Sequence, residues 1–276
     1  MQLGIFAKTF AGNDALTVLA AARGAGFATA QFNMACLGLT SMPEAITEAQ
    51  AVSIAAAAAA TGVSIAAVSG TYNMIHPDPT VRRTGLARLE VLAASAHAMG
   101  TRLITLCTGT RDADDQWRHH ADNATPGAWA DLVAEMGKAA AIAAAHDVDL
   151  GIEPELANVI SSAPLARRLL DEIGSLRLKI VLDPANLFEV AVPAERQRLV
   201  EQAIDLLAPS IALAHAKDRY ADGSFAAAGT GVIDFRHFIA SLRAAGVDAP
   251  LITHGLEAAQ APSVAKFLAH ALEVAA

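Results

Sequence analysis

The chain is poor in the residues that staple, charge or anchor a protein. It holds only two cysteines in 276 residues, Cys36 and Cys107, far apart and each set beside apolar neighbours. Two isolated thiols make no disulfide framework, which points to a reduced, cytoplasmic setting. Charged residues reach only 17% while hydrophobic ones reach 54%, so the chain has ample material for a core and does not read as disordered. The formal net charge is −8 and no Lys/Arg-rich run occurs, which argues against nucleic-acid phosphates as the main partner. Small anionic substrates stay open, because one local cation is enough to bind them. Long apolar runs are missing as well. The longest, Val52 to Thr61, is mostly alanine, too short to cross a bilayer, and reads as the buried face of a helix. Met1 to Phe6 lacks a basic segment and runs straight into a strand, so no signal peptide is expected. No glycine-rich dinucleotide fingerprint follows that strand; Ala7-Lys8-Thr9-Phe10 stands there instead.

What the chain has is alternation. Apolar strands are predicted at about 3–7, 29–33, 63–68, 103–107, 149–153, 178–182, 211–215 and 250–254, with strand starts roughly thirty residues apart. Helices are predicted between them. The first is capped by Asn13 or Asp14 and runs to Arg23, the second starts at Pro43 and stops at Gly62, and the third covers about Thr80 to Met99. Later ones span Ala134–Ala145, Ala163–Ile173 and about Ala194–Leu207, and two more start near Asp234 and at Pro262. An open doubly wound sheet has the same alternation. Two features favour one closed (β/α)8 TIM barrel spanning 1–276. Eight such units in about 250 residues is its usual size. Polar groups also follow nearly every strand, rather than clustering at one switch point.

The strand ends carry the chemistry. Leu150-Gly151-Ile152 leads to Glu153, Leu178 to Leu182 leads to Asp183, Ile211 to Ala214 leads to His215, and Leu251-Ile252-Thr253 leads to His254. Closing the barrel sets these four tips side by side on one rim, where two carboxylates and two imidazoles form a site for a divalent cation. Taken singly, His254 also reads as solvated rim and Asp183, before Pro184, as a turn residue. Glu153 is harder to explain away, because a carboxylate on an apolar strand is costly unless paired or metal-bound.

At these residues the chain resembles the sugar isomerase/epimerase superfamily of xylose isomerase-like TIM barrels. The pieces are Gly151 to Glu155, Leu182-Asp183-Pro184-Ala185-Asn186-Leu187, His215-Ala216-Lys217-Asp218 with Gly229 to Phe235 after it, and more weakly Ala98 to Thr110. The resemblance implies one divalent ion held by Glu, Asp, His and Glu on strands five to eight, with the two glutamates moving a sugar proton. Glu153, Asp183 and His215 match. The strand-eight position holds His254, and the nearest carboxylate, Glu257, lies three residues on. Many relatives carry a histidine where Asn186 stands, and a substrate-binding arginine where Phe225 to Ala228 stand. With His254 as fourth ligand, the site is expected to prefer Mn, Zn, Co or Fe over Mg.

The expected activity is metal-dependent isomerisation or epimerisation of a sugar, keto-sugar or polyol derivative through an enediolate. Glu153 is the expected base, Lys217 the group facing the enediolate, and His254 either ligand or second acid/base. Asn33, Tyr72, His76, Arg111, Trp117, Asn158 and Asn186 are candidate substrate contacts. The polar stretch Asp112 to Pro126, with Trp117, Arg118, His119 and His120, reads as a lid or as a solvated loop; Asp112 to Asp115 reads as a turn. The alternatives are a lyase or dehydratase using the same metal site, a nucleic-acid enzyme on the barrel of the apurinic-site endonucleases, and a partner subunit without activity. The expected partner is a small sugar, with no nucleic acid and no membrane; a homo-oligomer stays open.

Overall fold

The computed structural model describes residues 1–275. Its strands are β1 (Leu3–Phe6), β2 (Thr29–Phe32), β3 (Ser64–Ser69), β4 (Leu103–Cys107), β5 (Asp149–Glu153), β6 (Leu178–Leu182), β7 (Ile211–Ala216), β8 (Asp218–Arg219), β9 (Phe225–Ala226) and β10 (Leu251–Thr253). All but β8 and β9 form a closed parallel barrel in the order β1-β10-β7-β6-β5-β4-β3-β2. The helices are α1 (Ala15–Gly24), α2 (Glu48–Thr61), α3 (Pro79–Ser95), α4 (Pro126–Ala145), α5 (Ala163–Ile173), α6 (Pro193–Leu207), α7 (Phe235–Ala244) and α8 (Ala261–Val274). The expected single TIM barrel is therefore the fold. Among the described residues no helix is long and apolar enough to cross a membrane.

Strand periodicity builds the interior in layers. Ala67, Leu103, Val181, Leu213 and Ile252 pack together as an apolar plug inside the barrel. Gly4 and Gly151 fill the same level, where a Cβ would press on Ile252 at 2.4 Å and Val181 at 2.8 Å. Two residues further along each strand stand Phe6, Ser69, Thr105, Glu153, Asp183, His215 and His254, so the alternation that makes the plug also lifts the polar groups just above it. Outside, each helix lays an apolar stripe on the strands. In α7 the buried residues are Phe235, Phe238, Ile239 and Leu242, the i, i+3, i+4, i+7 pattern of one helical face.

Helix starts follow capping chemistry and shift some expected bounds. Asp14, not Asn13, caps α1. In α2 the helix starts at Glu48 instead of Pro43, because Thr47 and Gln50 form a reciprocal capping box. In α4 the start moves from Ala134 back to Pro126, where Thr125 accepts from the Ala128 N–H and Pro126 occupies the first turn. In α3 regular helix ends at Ser95, and tighter turns carry the chain to Gly100, whose φ is +85°.

The segment after β7 departs most from expectation. Where no further strand is predicted, β8 and β9 pair antiparallel in a short hairpin. Asp218 ties that hairpin down. Its fully buried carboxylate accepts from the N–H groups of Arg219 and Ile233 through Oδ1, at 2.8 and 3.0 Å, and of Gly229 and Gly231 through Oδ2, both at 3.0 Å. Gly231 comes so close that a Cβ would lie 2.4 Å from Asp218 Oδ1. Replacing one oxygen by an NH2 group would aim donors at donors. Asp218→Asn is therefore expected to lower unfolding free energy by about 3 kcal/mol, measured by urea denaturation, since buried donors lose a charged acceptor.

Candidate metal centre and cavity

Glu153 closes β5, His215 lies within β7, and Asp183 and His254 directly follow β6 and β10. One ligand atom from each lies within 4.8 Å of all the others. Asp183 and His215 are buried, and Glu153 and His254 are partly so. The His215 and His254 rings stand 4.4 Å apart, tilted by 56°. Glu153 Oε1 faces His215 Nδ1 at 3.1 Å and accepts from Asn186 Nδ2 at 2.9 Å. Asp183 Oδ2 faces His254 Nε2 at 3.1 Å and Lys217 Nζ at 3.7 Å, while Asp183 Oδ1 accepts from the Ala185 N–H at 2.9 Å. Lys217 also donates to Asn186 Oδ1 at 3.2 Å and lies 3.9 Å from the centre of the Phe225 ring.

Burial and neighbours pull these groups in opposite directions. Burial pushes the Glu153 carboxyl up, but the charge and hydrogen bond of His215 outweigh it and hold Glu153 below its ordinary value. Asp183 is likewise raised by burial and then brought well below the carboxylate range by Lys217 and His254. His254 is held below the ordinary imidazole value, because burial and the neighbouring His215 prevail over its hydrogen bond to Asp183. Two ionised carboxylates beside two imidazoles are a donor set that fits a divalent transition ion.

Glu153, His215 and His254 line a cavity of about 460 Å³ that opens at the C-terminal rim of the barrel, with Asp183 buried behind them. Of the candidate substrate contacts, Asn33 and Trp117 line it, with Trp117 half exposed. Asn186 is fully buried and joins Glu153 to Lys217. The structure places the others away from the lining, in loop architecture. Asn158 accepts from the Gly109 N–H and donates to Gln116 O. His76 bonds Ala113 O and accepts from the Asp78 N–H. Arg111 holds Ile75 O and Asp131, and the Tyr72 ring covers Gly85 with its hydroxyl buried and unpartnered. His119 and His120 do not line the cavity either, and His120 accepts from the Asp122 N–H. Glu257 is exposed and shares a capping box with Gln260, outside the quartet.

Sequence reasoning missed Gln31, Ser69, Thr105 and Glu155, all on the cavity wall. Gln31 and Thr105 lie inside strands, and reading only the residue at each strand end passes over them. Glu155 had a signal, being the second carboxylate of the Glu153-Pro154-Glu155 turn. Burial pushes its carboxyl up, and the Lys217 charge offsets this only in part.

Comparison with known proteins bears on the fold. Residues 19–271 match the family described as xylose isomerase-like TIM barrel. No match is found among curated proteins. An L-ribulose 3-epimerase structure superposes with a TM-score of 0.76 at 19% identity, covering 99% of this chain and 95% of the other. A 3-keto-D-glucoside 4-epimerase from E. coli gives 0.77 at 16% identity, covering 98% and 99%. A probable 3-DHS dehydratase from Bacillus anthracis gives 0.76 at 16%, again covering 98% and 99%.

The segment bearing Trp117 is braced by Asp112. That carboxylate accepts from the N–H groups of Asp114 and Asp115, both at 2.9 Å, and is paired with the Arg118 guanidinium. Arg118 first, then the two N–H groups, hold Asp112 well below the carboxylate range. A carboxyl lowered in the folded state stabilises it above the unfolded value of about 4, and that stabilisation is lost as pH falls through the folded value. In a Trp129→Phe background, the fluorescence anisotropy of Trp117 should therefore stay level from neutral pH to about 4 and drop only in stronger acid. Asp112→Asn should lower it at neutral pH.

Proposed function

We propose that this chain, which belongs to the xylose isomerase-like TIM barrel family, is a metal-dependent isomerase or epimerase of a sugar, keto-sugar or polyol derivative. The observation that carries the reading is the convergence of Glu153, Asp183, His215 and His254 at the floor of a cavity sized for a small polyol. A divalent cation held there, with Mn, Zn or Co favoured over Mg by the two imidazoles, would polarise a carbonyl and the hydroxyl beside it.

The chain's own groups do the rest. Glu153 takes the proton from the carbon next to the carbonyl. Its Oε1 accepts from Asn186 and faces His215, which fixes the carboxylate and leaves Oε2 for the substrate. Lys217, held by Asn186 and Asp183 on the cavity wall, places a positive charge where the enediolate develops. His254, if it is not a ligand of the cation, returns the proton from the other side of the quartet, and Glu155 is a further carboxyl on the lining. Trp117 and Phe225 give the cavity flat apolar surfaces for a sugar face, and Asn33 adds an amide.

A dehydratase reading is favoured by one departure. His254 stands where the resembled epimerases keep a second glutamate, so the symmetrical pair that moves a proton between two faces is lost. The similarity to a probable 3-DHS dehydratase fits that reading as well as the epimerases fit the first. Product analysis separates them, because elimination yields an unsaturated or deoxy product and isomerisation conserves mass.

Protein purified without chelator should carry one equivalent of a transition metal, read by elemental analysis; absence of metal, with no uptake of added Mn or Zn, would sink the reading. With Mn-loaded protein and a ketose panel in D2O, deuterium should enter the carbon next to the carbonyl. Glu153→Gln should cut turnover by about two orders of magnitude or more. His254→Glu should retain the metal, and normal turnover by folded, metal-bound Glu153→Gln would reduce Glu153 to a ligand.

A further inference from the structure

Gln31 is polar, nearly fully buried, and sits inside the barrel on β2. A glutamine in that position is costly unless its groups are matched, and here they are. Both hydrogens of its Nε2 are spoken for, donated to Ser69 Oγ at 3.0 Å and to Thr105 Oγ1 at 3.1 Å. Those hydroxyls belong to β3 and β4, so the amide is braced from two neighbouring strands. Its oxygen is thereby turned to the far side, where Oε1 lies 2.8 Å from His215 Nε2.

An amide oxygen only accepts. Glu153 Oε1 only accepts as well, so the ring stands between two acceptors; with a cation bound, the ring hydrogen goes to Nε2, where Gln31 receives it, and the lone pair of the other nitrogen is left to bind. That nitrogen, Nδ1, is the one on the quartet side, 3.1 Å from Glu153 Oε1. With the amide turned over, Nε2 of Gln31 would point at the imidazole, the imidazole hydrogen would move to Nδ1, and the lone pair would face away from the quartet. Ser69 and Thr105 thus bear on the histidine without touching it.

We infer that Gln31 is a positioning residue, which by accepting from His215 Nε2 presents His215 Nδ1 to the cation. The inference rests on the reading of the quartet as a metal site. It concerns which atom of His215 binds, and assigns Gln31 no contact with substrate chemistry.

The test uses zinc alone, without substrate. In zinc-loaded protein, nitrogen-15 correlation spectra of the His215 ring should show a hydrogen on Nε2 and a metal-bound Nδ1. Gln31→Leu removes the acceptor and should weaken zinc binding by about 10–100-fold in a chelator competition, the usual effect of losing a group that orients a ligand. Gln31→Glu keeps an acceptor toward Nε2, with the two hydroxyls turning to donate, and should restore affinity close to that of the unaltered protein. If Gln31→Leu fails to fold, the pair Ser69→Ala and Thr105→Val keeps Gln31 but frees its amide to turn, and should give a mixture of the two ring forms. Zinc bound by the unaltered protein through Nε2, or bound equally tightly by Gln31→Leu, overturns the inference alone. No zinc binding by the unaltered protein overturns the metal-site reading and the inference together.

Discussion

Two carboxylates buried side by side set the terms for the rest of the molecule. Glu153 and Asp183 stand just above an apolar plug, where burial raises the proton affinity of both and the Asp183 charge raises that of Glu153 further. Left alone, they would take up protons rather than remain charged. The structure answers with Lys217, His215 and His254 within hydrogen-bonding or ion-pairing distance. Two of these are in turn held from behind, His215 by Gln31 and Lys217 by Asn186. The polar layer is thus a network in which every member has a partner, which is the condition for placing charge inside a barrel.

How much of this could be read from the sequence depended on scale. The strands were legible because each is a short apolar run followed by a polar residue, and because the eight-fold recurrence has few architectures that satisfy it. The quartet was legible for the same reason, since a parallel barrel brings every strand end to one rim. The β8–β9 hairpin was not, because strands of two residues carry no periodicity. The start of α4 is masked in the sequence by the polar stretch before it, although Thr125-Pro126 is a helix-opening pair. Tyr72, His76, Arg111 and Asn158 show where such reading stops. They lie on the loops that follow the strands, yet loop geometry decides where a side chain points, and here Asn158, His76 and Arg111 turn to loop carbonyls and N–H groups while the Tyr72 ring packs on Gly85.

The fourth corner of the quartet is where this chain parts from what its motifs resemble. Glu257 is the first carboxylate in sequence after β10, and its place in the capping box with Gln260 keeps it on the outer turn. His254 occupies the inner position, and its Nε2 reaches Asp183 directly. The site therefore has an acidic side, Glu153 and Asp183, and an imidazole side, with Lys217 across from Phe225 completing the wall. Such a site is not symmetrical about a bound substrate, whichever reaction it serves.

Asp218 has a consequence for how this barrel can change over generations. Its four contacts beyond β7 are all to main-chain N–H groups, which any residue but proline supplies. Within the hairpin that it secures, side chains such as Tyr220 and Phe225 are half exposed and play no part in that attachment. Gly223, Gly229 and Gly231 are fixed by want of space, against Glu189 and Val190, against Phe267, and against Arg219 and Asp218, and the buried Arg219 side chain is held by Ala185 O. The hairpin is thus an interchangeable module. Its sequence can drift, and with it the surface that Phe225 turns toward the cavity, while the scaffold that holds the carboxylates and imidazoles stays as it is.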